Sequence, residues 1–335
     1  MLTDSKSIDY DKPLSILIGE NGSGKSQALG DIAEGYISRN YSVIAIANCP
    51  FDKFRDKGKR YFFMGGRYGQ SFIGVALKQV LASIAQPSVS RYHVGAVLSY
   101  LGYDTILGVC QEESQSRIDW HDLSSSQSNS EFKKNSKEGS WSLNLHKDKL
   151  HNWPAIFLKR KGRELPIERA SSGEIQLITT FAFIASNITH RTAILIDEPE
   201  NSLHPRWQRK YIDQLLDLFQ LFQPKIIIAT HAPVIVTSVP CCNVFYSVYR
   251  LSNNELQEVY NIDEGMEQVL WEVFKMLTPR SAFLSRYLTD LIHKKRSGSI
   301  SGYEFNVEFD ELYDAAWNDS KQRQLISHVK ALADE

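Results

Sequence analysis

The segment Gly19–Ser26 has the residue types and the spacing of a phosphate-binding loop. It reads GENGSGKS and matches the pattern Gly-x-x-x-x-Gly-Lys-Ser/Thr, in which small residues let backbone N–H groups surround phosphate oxygens. In such a loop, Lys25 can reach the β- and γ-phosphates and the Ser26 hydroxyl can bind Mg²⁺. An ordinary glycine-rich turn is the alternative interpretation. The nucleotide-binding residues that the motif predicts are Gly19, Asn21, Gly22, Ser23, Gly24, Lys25 and Ser26.

A second candidate site is a pair of carboxylates that follows an apolar run. Residues 194–196 are Ile-Leu-Ile, and Asp197 and Glu198 come directly after them. A carboxylate at the end of a buried strand can bind Mg²⁺, directly or through water, and we assign that role to Asp197. We predict that Glu198 is the general base that activates a water molecule. An ordinary acidic loop is the alternative, but the phosphate-binding loop elsewhere in the chain makes it less attractive.

Two further motifs are weak when each is taken alone. Ser171-Ser172-Gly173-Glu174 precedes a long apolar run, and a serine and a glycine at a helix start can supply donors to an anion. His231 follows Thr230 at the end of a second apolar run, where it could contact a γ-phosphate. By themselves, the first motif is a helix cap and the second is a surface histidine at the end of a strand.

The elements that must position these residues alternate between strands and helices. Short apolar runs at 14–18, 43–46, 193–196 and 226–229 predict buried strands. Helical spacing follows Ser26 and recurs at 72–85, 91–101, 174–188 and 205–222. This order predicts an α/β fold with a mostly parallel, doubly wound sheet.

The predicted α/β region covers residues 1–250 and contains a serine-rich stretch at 111–152, which we interpret as a flexible insertion. Residues 251–335 form the second region, and they are mainly helical, with helices predicted at 266–277, 281–296 and 319–333.

The composition excludes several classes of protein. The chain has 335 residues, with 38 Lys and Arg against 39 Asp and Glu, so it is not a wholly basic nucleic-acid-binding protein. It has no apolar stretch of the roughly 18 residues that a membrane span needs, and its polar start does not resemble a secretion signal. The four cysteines form no Cys-x-x-Cys pair, which favours reduced thiols in a cytoplasmic protein.

The four motifs, taken in their order along the chain, resemble those of the ABC-type ATPases. That family has a Walker A loop, a signature Ser-Gly segment, a Walker B strand with a catalytic Glu, and a switch His. The run from Asp197 to Pro205, DEPENSLHP, is similar to that of soluble ABC ATPases related to the OLD and SMC-like groups. The sequence ATHAP at 229–233 is also similar to theirs. The group that it resembles most is the ATPases of prokaryotic anti-phage systems, such as the Septu and retron-associated ATPases.

The resemblance implies that residues 1–250 form a P-loop ABC-type ATPase head. It also implies ATP and Mg²⁺ as cofactors and a head-to-tail homodimer around the nucleotide. Ser172 and Gly173 of one subunit would then close the γ-phosphate held by the other, and His231 would join Glu198 as a catalytic residue. The chain departs from the family at several positions. Tyr10 is a weak candidate for adenine stacking, neither Gln70 nor Gln79 is a convincing metal-sensing glutamine, and Glu174 stands where the family often has glycine.

The functional expectation is an ATP-driven dimer switch that controls a separate effector, such as a nuclease, in a defence complex. No second catalytic motif is visible in the sequence. Two alternatives stay open: an SMC-like ATPase that binds DNA, and a nucleotide-gated scaffold with negligible hydrolysis. The basic segments at 53–60 and 159–163 could contact DNA or RNA, although solvated charged turns are the favoured explanation of both. A transporter subunit with membrane partners is the least favoured class.

Overall fold

The computed structural model describes residues 8–49, 52–55, 58–65, 89–110, 118–124, 155–252, 255–259, 266–277, 282–316 and 320–334. The chain divides into two compact units. One contains Ser26–Ala229, and the other combines Met1–Lys25 with Thr230–Glu335. The predicted helix 72–85 and most of the serine-rich stretch lie outside the described residues.

The unit Ser26–Ala229 is built around a parallel sheet. Its strands are β2 (Ser42–Ala47), β3 (Tyr61–Gly65), β8 (Thr192–Asp197) and β9 (Lys225–Thr230), whose last residue begins the other unit. They lie in the order β9-β8-β2-β3, and each neighbouring pair is parallel. Residues of β8 are buried along its whole length, because a strand in the middle of such a sheet is covered on both faces. The register pairs Asp197 with Ala47 on one side and with Ala229 on the other, so all three strands end at the same edge.

Three long helices accompany this sheet. α1 (Lys25–Ser38) follows the phosphate-binding loop, α3 (Ser172–Asn187) precedes β8, and α4 (Pro205–Phe219) follows it. Most residues of α3 are buried, as its apolar sequence predicts. α4 is amphipathic instead: its buried side chains recur at helical spacing, and its first residue is Pro205, as the sequence predicts.

A second sheet in the same unit is antiparallel, and the sequence analysis does not predict it. It comprises β4 (Ile106–Cys110), β5 (Asp119–Asp122), β6 (Ala155–Arg160) and β7 (Arg163–Pro166), in the order β5-β4-β6-β7. Helix α2 (Val89–Tyr100) precedes it and agrees with the helix predicted at 91–101. Strand β5 lies inside the stretch 111–152, so residues 119–122 of the predicted insertion form sheet.

The other unit combines three strands with a helical region. β1 (Leu14–Ile18) is fully buried and pairs in parallel with β10 (Tyr246–Ser252), which pairs antiparallel with β11 (Glu255–Val259). Helix α5 (Pro233–Val236) is a single turn after His231. The helices α6 (Met266–Phe274), α7 (Ala282–Arg296) and α9 (Ser320–Asp334) agree with the three predicted ones. A fourth, α8 (Gly302–Ala315), was not predicted, and its Phe305 and Phe309 lie in an apolar core shared with α7 and α9.

The α/β fold class with a mostly parallel sheet and a helical C-terminal region is therefore confirmed.

Candidate functional site

The phosphate-binding loop occupies the turn between β1 and α1. Gly22 and Gly24 have φ angles of 83° and 96°, in the left-handed region that residues with a Cβ rarely adopt. A Cβ at Gly19 would lie 2.9 Å from the backbone oxygen of Leu251, so a larger residue does not fit there. The glycine spacing of the motif therefore follows from the backbone path of this loop.

Lys25 is the first residue of α1, and its side chain turns back over the loop. Its ammonium group donates hydrogen bonds to the backbone oxygens of Gly19 (2.9 Å) and Glu20 (2.8 Å), and the residue is only 5% exposed. The Ser23 hydroxyl oxygen is buried and has no hydrogen-bond partner in the described part of the chain. Buried polar groups are normally satisfied, so this hydroxyl and the folded-back ammonium fit a loop that closes around an anionic ligand. Ser26, the candidate Mg²⁺ ligand of this loop, follows as the second residue of α1 and is half-buried.

Asp197 ends the central strand β8 and is completely buried. Its backbone oxygen accepts a hydrogen bond from the Asn48 N–H (3.1 Å) at the end of β2. The Cys49 thiol lies 3.8 Å from Asp197 Oδ2 and donates to it. A buried carboxylate at a strand end is chemically suited to a divalent cation, and the metal-binding role of Asp197 stays a prediction.

Glu198 follows at the same edge, half-buried and with a φ angle of 51°. Its N–H donates to the backbone oxygen of Ala229 (2.8 Å), which continues the β8–β9 pairing by one residue. The side-chain amide of Asn201 donates to Glu198 Oε2 (3.0 Å) and also to the backbone oxygen of Asn48 (3.2 Å). The candidate base is therefore held by its backbone and by its carboxylate.

The signature segment forms the start of α3, and Ser171 is its N-cap. The Ser171 hydroxyl accepts from the Glu174 N–H (3.3 Å), and the Glu174 carboxylate accepts from the Ser171 N–H (2.9 Å), which is a reciprocal capping box. Ser172 is exposed at the first helical position and takes no part in this exchange. The Glu174 side chain is thus part of a helix cap.

Arg160 of the second sheet completes the surroundings of Glu174. Its guanidinium forms an ion pair with the Glu174 carboxylate and lies 3.8 Å from the ring centroid of Tyr103. Burial would raise the pKa of Glu174, but the hydrogen bonds from Arg160 and Ser171 outweigh it, so the pKa lies below its ordinary value. Burial and the nearby Glu174 carboxylate raise the pKa of Tyr103 to about 12.

The start of α3 packs directly on the loop that follows Glu198. A Cβ at Gly173 would lie 2.6 Å from the backbone oxygen of Ser202 and 2.9 Å from the Trp207 ring. The Gln176 amide donates to the backbone oxygen of Pro199 (3.2 Å). The structure therefore joins the signature segment and the Asp197–Glu198 pair through one loop.

His231 lies in the other unit, directly after β9, and is half-buried. The Thr230 hydroxyl accepts from the N–H of Ala232 (2.9 Å), which fixes the turn that presents His231. The segment Gly19–Lys25 belongs to the same unit as His231, whereas Ser26, Ser172, Gly173, Asp197 and Glu198 belong to the unit Ser26–Ala229. Tyr10 is half-buried in the unit of His231, and Gln70 and Gln79 lie outside the described residues.

The two basic segments are partly occupied by contacts within the protein. In the segment 53–60, Arg55 forms an ion pair with Glu34 (3.3 Å) and lies over the Tyr61 ring, 4.4 Å from its centroid. In the segment 159–163, Arg160 is engaged with Glu174, while Lys161 and Arg163 are exposed at the β6–β7 turn.

Sequence reasoning missed three side chains at this edge. Asn48 and Cys49 follow an apolar strand, and Asn201 follows Glu198 by three residues. Both side-chain amide atoms of Asn48 are buried and have no hydrogen-bond partner among the described residues. A search for polar residues at the end of every predicted strand would have found the first two.

Within the described ranges, no helix is long and apolar enough to cross a membrane. The same ranges contain no group of three or more His, Cys, Asp or Glu side chains that could hold a metal ion.

Comparison with known protein families gives a match over the segment that contains three of the four motifs. Residues 120–237 match the family model described as "AAA domain, putative AbiEii toxin, Type IV TA system". A stretch of 72 residues is 35% identical to the protein ea59 of Escherichia phage lambda, and it spans 22% of this chain and 14% of the phage protein.

Solved structures with a similar fold include two kinds of protein. One is "an inward-facing conformation of a putative metal-chelate type ABC transporter" (19% identity, 81% of this chain and 82% of that chain, TM-score 0.40). Another is the SMC head domain from Thermotoga maritima (11% identity, 73% of this chain and 89% of that chain, TM-score 0.38). Because both TM-scores lie below 0.5, these likenesses support no conclusion about function. The comparisons establish that residues 120–237, from β5 to the turn after His231, are similar to an AAA domain.

Proposed function

We propose that this protein binds ATP with Mg²⁺ and hydrolyses it. The observation that carries the proposal is the loop Gly19–Ser26, whose glycines adopt left-handed angles and whose lysine ammonium is folded over backbone oxygens. The match of residues 120–237 to an AAA domain supports it independently, because that segment contains Asp197 and Glu198 but not the loop.

In this proposal, the candidate residues divide the tasks of binding phosphate, binding Mg²⁺ and activating water. Lys25 exchanges its two carbonyl partners for phosphate oxygens, since an ammonium group interacts more strongly with an anion than with a neutral carbonyl. Ser26 and Asp197 are oxygen donors suited to Mg²⁺, which would supply charge stabilisation to the reacting phosphate. Glu198 orients and deprotonates the attacking water.

The finer part of the proposal concerns the assembly. Two copies associate head to tail, and Ser172 and Gly173 of one copy close the γ-phosphate site of the other. The exposed Ser172, left out of the capping box that occupies Ser171 and Glu174, supports this arrangement. The resulting dimer acts as a nucleotide-driven switch for a separate effector, such as a nuclease, in a defence complex.

The test compares ATP binding with ATP turnover in two variants. Lys25→Ala should lose nucleotide affinity by at least about 10-fold, because a charge-assisted contact to phosphate disappears. Glu198→Gln should bind ATP as the wild type does and lower kcat by about 100-fold or more, as the loss of a general base does. Steady-state phosphate release and titration with a fluorescent ATP analogue measure the two quantities. Wild-type turnover in Glu198→Gln would contradict the assignment of the base.

A DNA-binding ATPase is the second candidate, and the exposed Lys161 and Arg163 are the observation that favours it. Their contribution would be independent of sequence and would weaken steeply with salt. DNA affinity at two salt concentrations, for the wild type and for Lys161→Glu with Arg163→Glu, distinguishes this candidate. An unchanged affinity in the double variant would remove this turn from the DNA-binding surface.

A further inference from the structure

The loop between Glu198 and Pro205 contains Asn201, whose side chain contacts the candidate base and has no role in the reaction proposed above. Asn201 is half-buried, and its single side-chain nitrogen donates to two acceptors, Glu198 Oε2 (3.0 Å) and the backbone oxygen of Asn48 (3.2 Å). Both amide hydrogens are therefore used. The opposite orientation of the amide would place its oxygen against a carboxylate and a carbonyl, so these two acceptors fix which way it points.

The backbone explains why residue 201 reaches back to residue 198. The backbone N–H of Asn201 donates a hydrogen bond to the backbone oxygen of Glu198 (3.3 Å), and this bond closes a turn between the two residues. Glu198 itself adopts a φ angle of 51°, an unfavourable conformation for a residue with a Cβ, and its N–H is bonded to Ala229. Such angles persist where surrounding contacts hold them, and they concentrate at functional sites.

The second acceptor of the Asn201 amide, the backbone oxygen of Asn48, belongs to a residue that is bonded to the sheet. Asn48 follows β2, and its N–H donates to the backbone oxygen of Asp197, so the ends of β2 and β8 are bonded to each other. The Asn201 amide thus connects the Glu198 carboxylate to a fixed point of the sheet instead of to a mobile side chain. A glutamate side chain has three rotatable bonds, and a hydrogen bond to its carboxylate restricts the rotamers that it can adopt.

From this geometry we infer that Asn201 is a positioning residue for Glu198: it orients the carboxylate for proton abstraction and does not itself contact the reacting atoms. This inference rests on the proposed function, since it assigns a role within the same hydrolytic step. Misplacing a catalytic group by about 1 Å can cost on the order of 100-fold in rate. The inference therefore predicts a loss in kcat at nearly constant ATP affinity.

Two variants of Asn201 separate positioning from a purely structural role. Asn201→Ala removes both hydrogen bonds, and we expect kcat to fall about 10- to 100-fold. Asn201→Asp keeps the shape of the side chain but loses the donor and places a second carboxylate beside Glu198, so its kcat should fall below that of Asn201→Ala. A merely structural role predicts the reverse order, because the isosteric variant disturbs packing least.

Asn187→Ala is the matched control. The Asn187 amide also donates to a backbone oxygen, that of Phe183 (2.8 Å), and it lies in the same unit at the end of α3. This variant should keep wild-type kcat. For all variants, phosphate release gives kcat and KM, a fluorescent ATP analogue gives the affinity, and urea unfolding gives the stability.

The outcomes are distinct. A wild-type protein without turnover overturns the proposed function, and the inference with it. Turnover in the wild type together with unchanged kcat in Asn201→Ala or Asn201→Asp overturns the inference alone. It is also overturned if kcat falls only in proportion to a loss of ATP affinity or of stability, or if Asn201→Asp is the milder variant. A fall in kcat in the predicted order, with ATP affinity kept, supports it.

Discussion

At the scale of single residues, the candidate site combines carboxylates held in two different ways. Glu198 is held by an uncharged amide, whereas Glu174 is held by the Arg160 guanidinium and by Ser171. A cation and a helix N-terminus favour the ionised form of a carboxylate, as they do at Glu174. The Glu174 carboxylate therefore serves the helix start, whereas the role of Glu198 as a base is the proposal that the variants above test.

Glu174 gives a pH-dependent prediction. Its pKa is lower in the folded protein than the ordinary value of 4.5, so its contribution to stability is present above that value and is lost as the pH falls through the folded pKa. Glu174→Gln should therefore lower the free energy of unfolding by about 1–2 kcal/mol at pH 7, a figure reduced for the solvent exposure of Arg160. The difference between the two proteins should shrink below about pH 4.5.

Urea unfolding of the wild type and Glu174→Gln at several pH values between 7 and 3.5 measures this difference. Glu304 offers a control, since it is a capping-box residue at the start of α8 and also has a lowered pKa, but is exposed. Glu304→Gln should change stability less than Glu174→Gln does, because no cation is bonded to Glu304 in the described part of the chain. A difference between wild type and Glu174→Gln that did not change with pH would contradict the ion-pair explanation.

At the scale of elements, the contact between α3 and the loop after Glu198 is the tightest that we find beside the candidate site. Gly173 lies against Ser202 and Trp207 without room for a methyl group. Gly173→Ala should therefore displace the start of α3 or the loop, at a cost of about 1–3 kcal/mol in unfolding free energy. Because that loop also contains Asn201, kcat should fall as well.

Gly302→Ala is the matched control for Gly173→Ala, because Gly302 is also near the start of a helix but has open space around its Cβ position. It should leave turnover unchanged and should not destabilise the protein, since alanine is the better helix former. Unfolding midpoints and phosphate release for both variants test the prediction. Equal free energies of unfolding for Gly173→Ala and the wild type would contradict the prediction, because they would show that the loop can move to admit the methyl group without destabilising the protein.

The elements that the sequence predicted are those whose signal is local. The buried strands β1, β2, β8 and β9 are continuous apolar runs, and the loop Gly19–Ser26 has a fixed pattern of glycines. Helix α8 was missed although Ser301 and Glu304 form a capping box before it, a signal that the sequence does contain.

Other features could not be read from local patterns. The antiparallel sheet β4–β7 consists of short strands with mixed polarity, separated by up to 32 residues along the chain. The Asn201 contact joins residues 48, 198 and 201, and only the pairing of β2 with β8 brings the first beside the others. Pairings between distant segments are set by tertiary packing, so a single sequence gives no direct sign of them.

At the scale of the whole molecule, the proposed function requires two copies, and Ser172 provides the test. It is the first residue of α3 and is exposed, so a substitution there should not disturb the folded monomer. Ser172→Asp would place a carboxylate against the triphosphate of the partner copy, and like charges in such a closed site repel each other. We expect the Glu198→Gln protein, which keeps ATP bound, to form dimers with ATP and Mg²⁺. Adding Ser172→Asp should abolish them while leaving ATP binding by the monomer intact.

Light scattering after size-exclusion chromatography, with and without ATP, measures the dimer fraction. Ser320→Asp in the same background is the matched control, because Ser320 is likewise an exposed first residue of a helix, α9. It should dimerise as the Glu198→Gln protein does. Since an aspartate at a helix N-terminus stabilises the helix in both variants, a specific loss with Ser172→Asp has to arise from contact with the partner copy. Dimers that persist in the Ser172→Asp protein would exclude the start of α3 from the interface, and they would leave hydrolysis without the proposed closure by a second subunit.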